Sequence, residues 1–156
     1  MITVAVREFF CEGMAKGWAS GAKATEMPGL GPGFKGFIAE SGGFRLVDAY
    51  CVNEESGKSA GSTTIWFRDL PVWVMGYGGW YSGEVGDFLK SALSDTYSRN
   101  VFMGGRGPVR MISDLYEYHN KVIMGNFIRF SGEERIYNRG GNGCLGYHDY
   151  WGMALW

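Results

Sequence analysis

The chain has 156 residues, with 15 basic and 16 acidic side chains and a formal net charge of −1. This length suits a single domain spanning residues 1–156, and an aromatic content of 16% excludes a disordered chain. The charge is too evenly balanced for a nucleic-acid or anionic-membrane surface, and no apolar run reaches the roughly 18 residues of a membrane helix. We therefore expect neither DNA nor a membrane as a direct partner.

The cysteines predict a reducing compartment. Cys11, Cys51 and Cys144 are widely separated, odd in number and part of no CxxC motif. This pattern is typical of buried, reduced thiols. The first ten residues carry Arg7 and Glu8 within an apolar stretch and so do not resemble a secretory signal. We expect a cytoplasmic protein.

The first half of the chain predicts one helix and four strands. Apolar residues at three- and four-residue steps indicate a helix over residues 2–18. A loop rich in proline and glycine follows from Ser20 to Gly33 and is long enough to form a lid. The predicted strands are 34–40, 44–52, 61–67 and 72–77.

The third and fourth strands form an unusual hairpin, with a tight turn at Arg68-Asp69 and apolar side chains on both faces. A sheet with one face in water normally alternates apolar and polar residues. In the third strand, Ile65 and Phe67 point to one face and Trp66 to the other. In the fourth strand, Val72 and Val74 point to one face, and the opposite face carries Trp73, Met75 and Tyr77. We expect helices to cover one face and a second layer, a ligand or a partner to cover the other.

The second half predicts another helix and a meander. Ser82 is a candidate cap for a helix that ends near Arg99. Strand candidates follow at 114–121, 126–130, 134–138 and 145–151. Because the turns are too short for parallel crossovers, the fold class is α+β. We expect a twisted antiparallel sheet of about six to eight strands with two main helices, both on one face.

Two histidines and several carboxylates are weak candidates for acid–base chemistry. Either His119 or His148 could act near neutral pH with Asp149 or a glutamate.

Glu133 and Glu134 are adjacent on a strand, so one should point inward. An inward carboxylate needs a partner, for which Arg45, Arg68 and Arg129 are candidates. It would form either a buried ion pair or an acid lining a pocket. The spacing supports no metal site, and we expect no cofactor.

An aromatic wall is the best candidate for a binding site. It comprises Trp66, Trp73, Met75, Tyr77 and Trp80, with Arg68 as a polar point beside it. Such side chains either pack beneath a second layer or line a ligand pocket or interface.

Three stretches together resemble a bacterial and archaeal family defined only as domain of unknown function 5680. They are residues 67–79, residues 87–93, and residues 125–137 followed by 146–152. In some members of that family the domain follows a helix-turn-helix of the Cro/repressor type. No such motif is detectable here, so a DNA-binding role does not carry over. The resemblance supplies no catalytic residue.

These observations leave three functions open. The leading hypothesis is a soluble ligand-binding or sensor module with an aromatic-lined pocket for a small molecule. The second is a protein-interaction module, either a homodimer or an antitoxin-like or immunity-like partner. The third is a small enzyme with a histidine–carboxylate pair, which we favour least.

Overall fold

The computed structural model describes residues 2–141 and 143–156, which form an α+β domain. Within these residues two α-helices lie on one nine-stranded sheet. The helices are α1 (Ile2–Lys16) and α2 (Gly86–Ser98). The strands are β1 (Thr25–Glu26), β2 (Phe34–Ser41), β3 (Phe44–Val52), β4 (Lys58–Phe67), β5 (Leu70–Tyr81), β6 (Arg110–Ile112), β7 (Tyr116–Asn126), β8 (Arg129–Asn138) and β9 (Cys144–Ala154).

All neighbouring strands are antiparallel, in the order β1-β2-β3-β4-β5-β9-β8-β7-β6. This confirms the predicted class. The strand count slightly exceeds the predicted six to eight because β1 and β6 are edge strands of two and three residues. Such short segments are too brief to display the two-residue alternation by which strands are predicted.

Both helices pack against the same face of the sheet, as expected. Phe10 of α1 and Leu93 of α2 belong to one buried core with Trp73 of β5. The rings of Phe10 and Trp73 lie 4.9 Å apart between centroids. Trp73 also stacks on Phe127 at 5.1 Å and donates a hydrogen bond from Nε1 to its carbonyl oxygen at 2.9 Å. The core therefore joins the first helix to the β7–β8 hairpin.

The domain has an approximate two-fold arrangement that is not visible as a sequence repeat. One half runs from α1 through β2–β5 and the other from α2 through β6–β9, and the halves meet where β5 pairs with β9. In that central pair Tyr77 lies opposite Tyr150. Each tyrosine also faces a glycine on its other neighbour, Gly61 for Tyr77 and Gly132 for Tyr150. The two halves therefore repeat the order of their elements and the pairing register of their strands.

The turns confirm some predictions and correct others. The hairpin turn at Arg68-Asp69 is present, with φ of 49° and 68°. Residues 126–130 do not form a strand of their own: Asn126 ends β7, residues 127 and 128 make the turn, and Arg129 begins β8. The Asn126 side chain accepts a hydrogen bond there from the Ile128 N–H at 2.9 Å, which favours a turn.

Two predictions about loops and caps are wrong. Ser82 does not cap α2 through its side chain; a short 3₁₀ helix at Gly83–Val85 precedes α2, and Ser82 Oγ donates to Glu84 Oε1 at 3.1 Å. The loop over residues 20–33 does not cover the sheet. Its Thr25–Glu26 segment extends the sheet edge by pairing with β2.

The cysteines are less buried than predicted. Cys11 is buried, and burial raises the pKa of its thiol to about 11. Cys51 is half-buried and Cys144 is exposed, and none of the three is in a disulfide. Neither helix of the described residues has the length and apolarity needed to cross a membrane.

Candidate functional site

A cavity of about 180 Å³ lies between the two helices and the sheet. Six Trp, Phe and Tyr residues line it: Trp18, Phe37, Tyr50, Tyr77, Tyr81 and Tyr97. Its polar lining consists of Asp48, Ser59, Arg106 and His148. Aliphatic residues of both helices, including Met14 and Leu93, complete the wall. The cavity is therefore mostly apolar with a few convergent polar groups, as ligand sites usually are.

The two halves of the fold differ in the path of the chain after each helix, and this difference positions the cavity. After α2, residues 99–109 run over the second half of the sheet. There the Gly107 N–H donates to Tyr118 OH at 2.9 Å, and Asn120 Nδ2 donates to the Met103 and Gly107 carbonyls at 2.6 and 2.9 Å. After α1, the chain instead leaves for the sheet edge at β1. The space over β3–β5 is left to the cavity.

Asp48 is the most unusual group in the wall. Its side chain is buried, and Oδ1 accepts hydrogen bonds from Thr63 Oγ1 at 2.8 Å and Tyr77 OH at 2.7 Å. None of the described residues donates a hydrogen bond to Oδ2. Burial raises the pKa of the Asp48 carboxyl, while these two hydrogen bonds and the positive charge of Arg106 oppose the rise.

Arg106 and Glu134 form a buried ion pair beside the cavity. Arg106 Nε lies 3.0 Å from Glu134 Oε2, and Nη2 lies 2.5 Å from Oε1. Tyr118 OH donates a third hydrogen bond, to Oε2 at 2.6 Å. Burial raises the pKa of Glu134 well above its usual value, and the positive charge of Arg135 opposes that rise. Arginine keeps its proton, and the two-pronged geometry is that of an ionised pair.

His148 links this pair to the cavity wall. Its Nδ1 lies 3.4 Å from Arg106 Nη2 and its Nε2 lies 3.3 Å from Ser59 Oγ. The imidazole also packs against the Tyr81 ring at 4.5 Å between centroids. Burial and the nearby Arg106 charge lower its pKa to about 2. The ring is therefore neutral at physiological pH. Because arginine can only donate, Nδ1 is the acceptor and Nε2 carries the proton.

The predicted binding residues are divided between the two faces of the sheet. Tyr77 lines the cavity, whereas Trp73 and Met75 on the same face are fully buried in the core. Trp66 and Arg68 border a separate open depression of about 760 Å³ on the outer face. Trp80 also lies on that outer face, opposite Tyr147 of β9. Strand alternation separates them, so they do not form one wall.

The predicted acid–base candidates are divided in the same way. Glu134 and His148 face the helices as cross-strand neighbours. Their sequence neighbours Glu133 and Asp149 face outward, where Arg135 contacts them at 2.9 and 3.0 Å. The expectation of one inward glutamate is confirmed, but its partner is Arg106 and none of the arginines proposed.

His119 lies apart from His148, on the outer face. Its Nε2 is 2.8 Å from Glu117 Oε1, in a half-exposed position near the sheet edge. The two histidines are therefore on opposite faces and cannot share a ligand. The described residues contain no group of three or more histidine, cysteine, aspartate or glutamate side chains that could hold a metal ion.

Sequence reasoning missed the two charged residues nearest the cavity. The sequence does indicate that Asp48 faces inward, because it alternates with Leu46 and Tyr50 in an otherwise apolar strand. No sequence pattern predicts the position of Arg106, since it lies in the glycine-rich segment 104–107, whose path depends on tertiary contacts.

The fold and site define a small α+β domain with a polar and aromatic cavity between its helix layer and its antiparallel sheet. The chain belongs to the family described as Domain of unknown function (DUF5680), whose model matches residues 52–151. The match includes Tyr77, Arg106, Glu134 and His148 and leaves Asp48 outside. No curated protein and no solved structure gives a match.

Proposed function

We propose that this protein is a binding or sensor module for a small organic molecule held in the cavity between the helices and the sheet. The observation that carries the proposal is the composition of the cavity wall, in which aromatic rings share the lining with the Asp48 carboxylate, one oxygen of which accepts no hydrogen bond from the described residues. An apolar cavity of about 150 Å³ holds benzene in another protein. A volume of about 180 Å³ therefore suits a ligand of one ring with a small polar group.

The buried polar cluster supports a binding role over a purely structural one. Taking Asp48, Arg106 and Glu134 out of water costs free energy that an apolar core of similar volume would not incur. Polar groups retained at such a cost, around a cavity, are typical of functional sites.

The other two hypotheses have weaker support. A histidine whose pKa is about 2 is a poor proton acceptor near neutral pH, and Glu134 is already bound to Arg106. The homodimer remains a prediction, for which Trp151 and Met153 on the outer face are among the exposed apolar residues that could contribute. A cytoplasmic location also remains a prediction, compatible with the three free cysteines.

The test is a thermal-shift and NMR titration with one-ring probes: phenol, benzyl alcohol, benzoate and benzylammonium. A probe at a hundred times its dissociation constant stabilises the folded state by about 2.7 kcal/mol. We expect Val52→Phe, which adds bulk to the cavity wall, to weaken binding at least tenfold. The matched control is Val47→Phe on the same strand, which borders the outer depression and should leave binding unchanged. Equal binding by both variants, or none by the wild type, would overturn the proposal.

A further inference from the structure

We propose that the ligand of this cavity is an organic monocation whose ammonium or amidinium group binds Oδ2 of Asp48. The inference rests on the proposed function and adds the charge of the ligand to it. Three features of the wall carry it: the charge balance of the buried cluster, the Asp48 oxygen that accepts from none of the described residues, and the aromatic rings that line the same cavity.

The charge balance leaves one carboxylate without a partner. Arg106 and Glu134 neutralise each other through their two-pronged contact. His148 is neutral in its place between Ser59 and Arg106. Asp48 is then the one acidic group of the cavity lining without an ion-pair partner among the described residues. An ionised Asp48 would give the cluster a net charge of −1, which a cation would neutralise.

The hydrogen bonding of Asp48 is half complete. Thr63 and Tyr77 both donate to Oδ1, and the side chain as a whole is buried. A carboxylate has lone pairs on both oxygens, and Oδ2, which accepts from none of the described residues, is accessible from the cavity that Asp48 lines. An ammonium group offers up to three donors and is therefore a suitable partner for Oδ2.

The surroundings of Asp48 suit a cation better than an anion. The rings of Trp18, Phe37 and Tyr50 line the same cavity, and aromatic faces attract positive charge. Of the Arg106 donors an anion would have Nη1 alone, since Nε and Nη2 already donate to Glu134 and Nη2 also contacts Tyr81 OH. It would also lie in the same cavity as the Asp48 carboxylate. A cation meets neither difficulty, because Glu134 neutralises the charge of Arg106 in the same lining.

The experiment compares three probes of one shape and different charge: benzylammonium, benzyl alcohol and benzoate. Binding is measured by NMR titration and calorimetry at neutral pH. We expect wild-type protein to bind benzylammonium at least tenfold more tightly than benzyl alcohol, and benzoate least. We expect Asp48→Asn to lose the preference for benzylammonium, so that it binds benzylammonium no more tightly than benzyl alcohol. Asparagine keeps an oxygen that can accept from Thr63 and Tyr77, so the variant should fold.

Each outcome separates this inference from the proposed function. Tighter binding of benzyl alcohol or benzoate than of benzylammonium would overturn the inference and leave the binding function standing. Equal binding of benzylammonium by wild type and Asp48→Asn would show that the Asp48 charge does not hold the cation, and would overturn the inference. Equal binding by wild type and Val52→Phe would place the cation outside the cavity, and would overturn the inference as well. Binding of no probe by the wild type would overturn both. If Asp48→Asn does not fold, the order of the three probes on wild-type protein decides the charge.

Discussion

Glu133 and Glu134 are adjacent in the chain and occupy opposite environments. Glu133 faces outward and contacts Arg135 at a partly exposed position, whereas Glu134 is fully buried against Arg106. A buried ion pair is weak evidence of net stabilisation, since desolvation costs nearly as much as the pairing gains. Removing one member of the pair is strongly destabilising, because the remaining charge stays buried without a partner.

We therefore expect Glu134→Gln to lower the free energy of unfolding by about 3–5 kcal/mol, measured by urea denaturation at pH 7. The Arg106 guanidinium would keep its charge and lose its counter-ion. The matched control is Glu133→Gln, which we expect to cost no more than about 1 kcal/mol because its ion pair is partly exposed. Losses of equal size in the two variants would contradict the assignment of Glu134 as the buried partner.

The same pair shows how far sequence reasoning reaches at the level of single residues. Strand alternation predicts that one of two adjacent glutamates points inward. It does not predict which arginine meets it, because Arg106 comes from an irregular segment 28 residues away. Asp48 could be predicted to face inward from its position between Leu46 and Tyr50. The hydrogen bonding of its two oxygens could not be predicted, since it depends on which side chains reach them from other strands.

At the level of elements, the long strands and both helices are predictable because each has a clear period. The two-faced hairpin of β4 and β5 is correctly placed, and its alternation correctly puts Trp73, Met75 and Tyr77 on one face. The prediction of a single aromatic wall is wrong because it combined residues that lie on opposite faces of the sheet. Trp66 and Trp80 are separated from Tyr77 by the thickness of the sheet.

The glycines opposite the central tyrosines are required by close packing. A Cβ on Gly132 would lie 2.1 Å from Tyr150 OH and 2.7 Å from the Lys121 carbonyl oxygen. Tyr150 is itself fixed by a hydrogen bond to Asn120 Oδ1 at 2.6 Å, so it cannot move without losing that bond. Overpacking in a core typically costs about 1–3 kcal/mol.

We expect Gly132→Ala to lower the free energy of unfolding by about 1–3 kcal/mol or more. The control is Gly86→Ala at the start of α2, where φ is −56°, ψ is −47° and no atom lies within 4 Å of an added Cβ. That change should raise stability by about 0.4–1 kcal/mol, since alanine has less freedom to lose on folding. Thermal and urea unfolding of the two variants measure both effects. A neutral Gly132→Ala would show that Tyr150 can move aside.

At the level of the whole molecule, the two helix-and-four-strand halves share one sheet and one core. The chain gives no sign of this arrangement, because the corresponding positions differ in chemistry. Tyr77 donates to Asp48, an acid, whereas Tyr150 donates to Asn120, an amide. The connection after each helix also differs, and this difference leaves room for the cavity in the first half.

The shared core predicts that the halves unfold together. Trp73 of the first half stacks on Phe127 and Phe130 of the second at 5.1 and 5.6 Å, and β5 pairs with β9 along nine residues of each strand. Neither half can therefore open without exposing the core of the other. We expect urea transitions followed by tryptophan fluorescence and by far-UV circular dichroism to coincide. Phe130→Leu should shift both curves equally, by about 1–2 kcal/mol. Two separate transitions, or a shift in one probe alone, would mean that the halves are independent units joined only by the sheet.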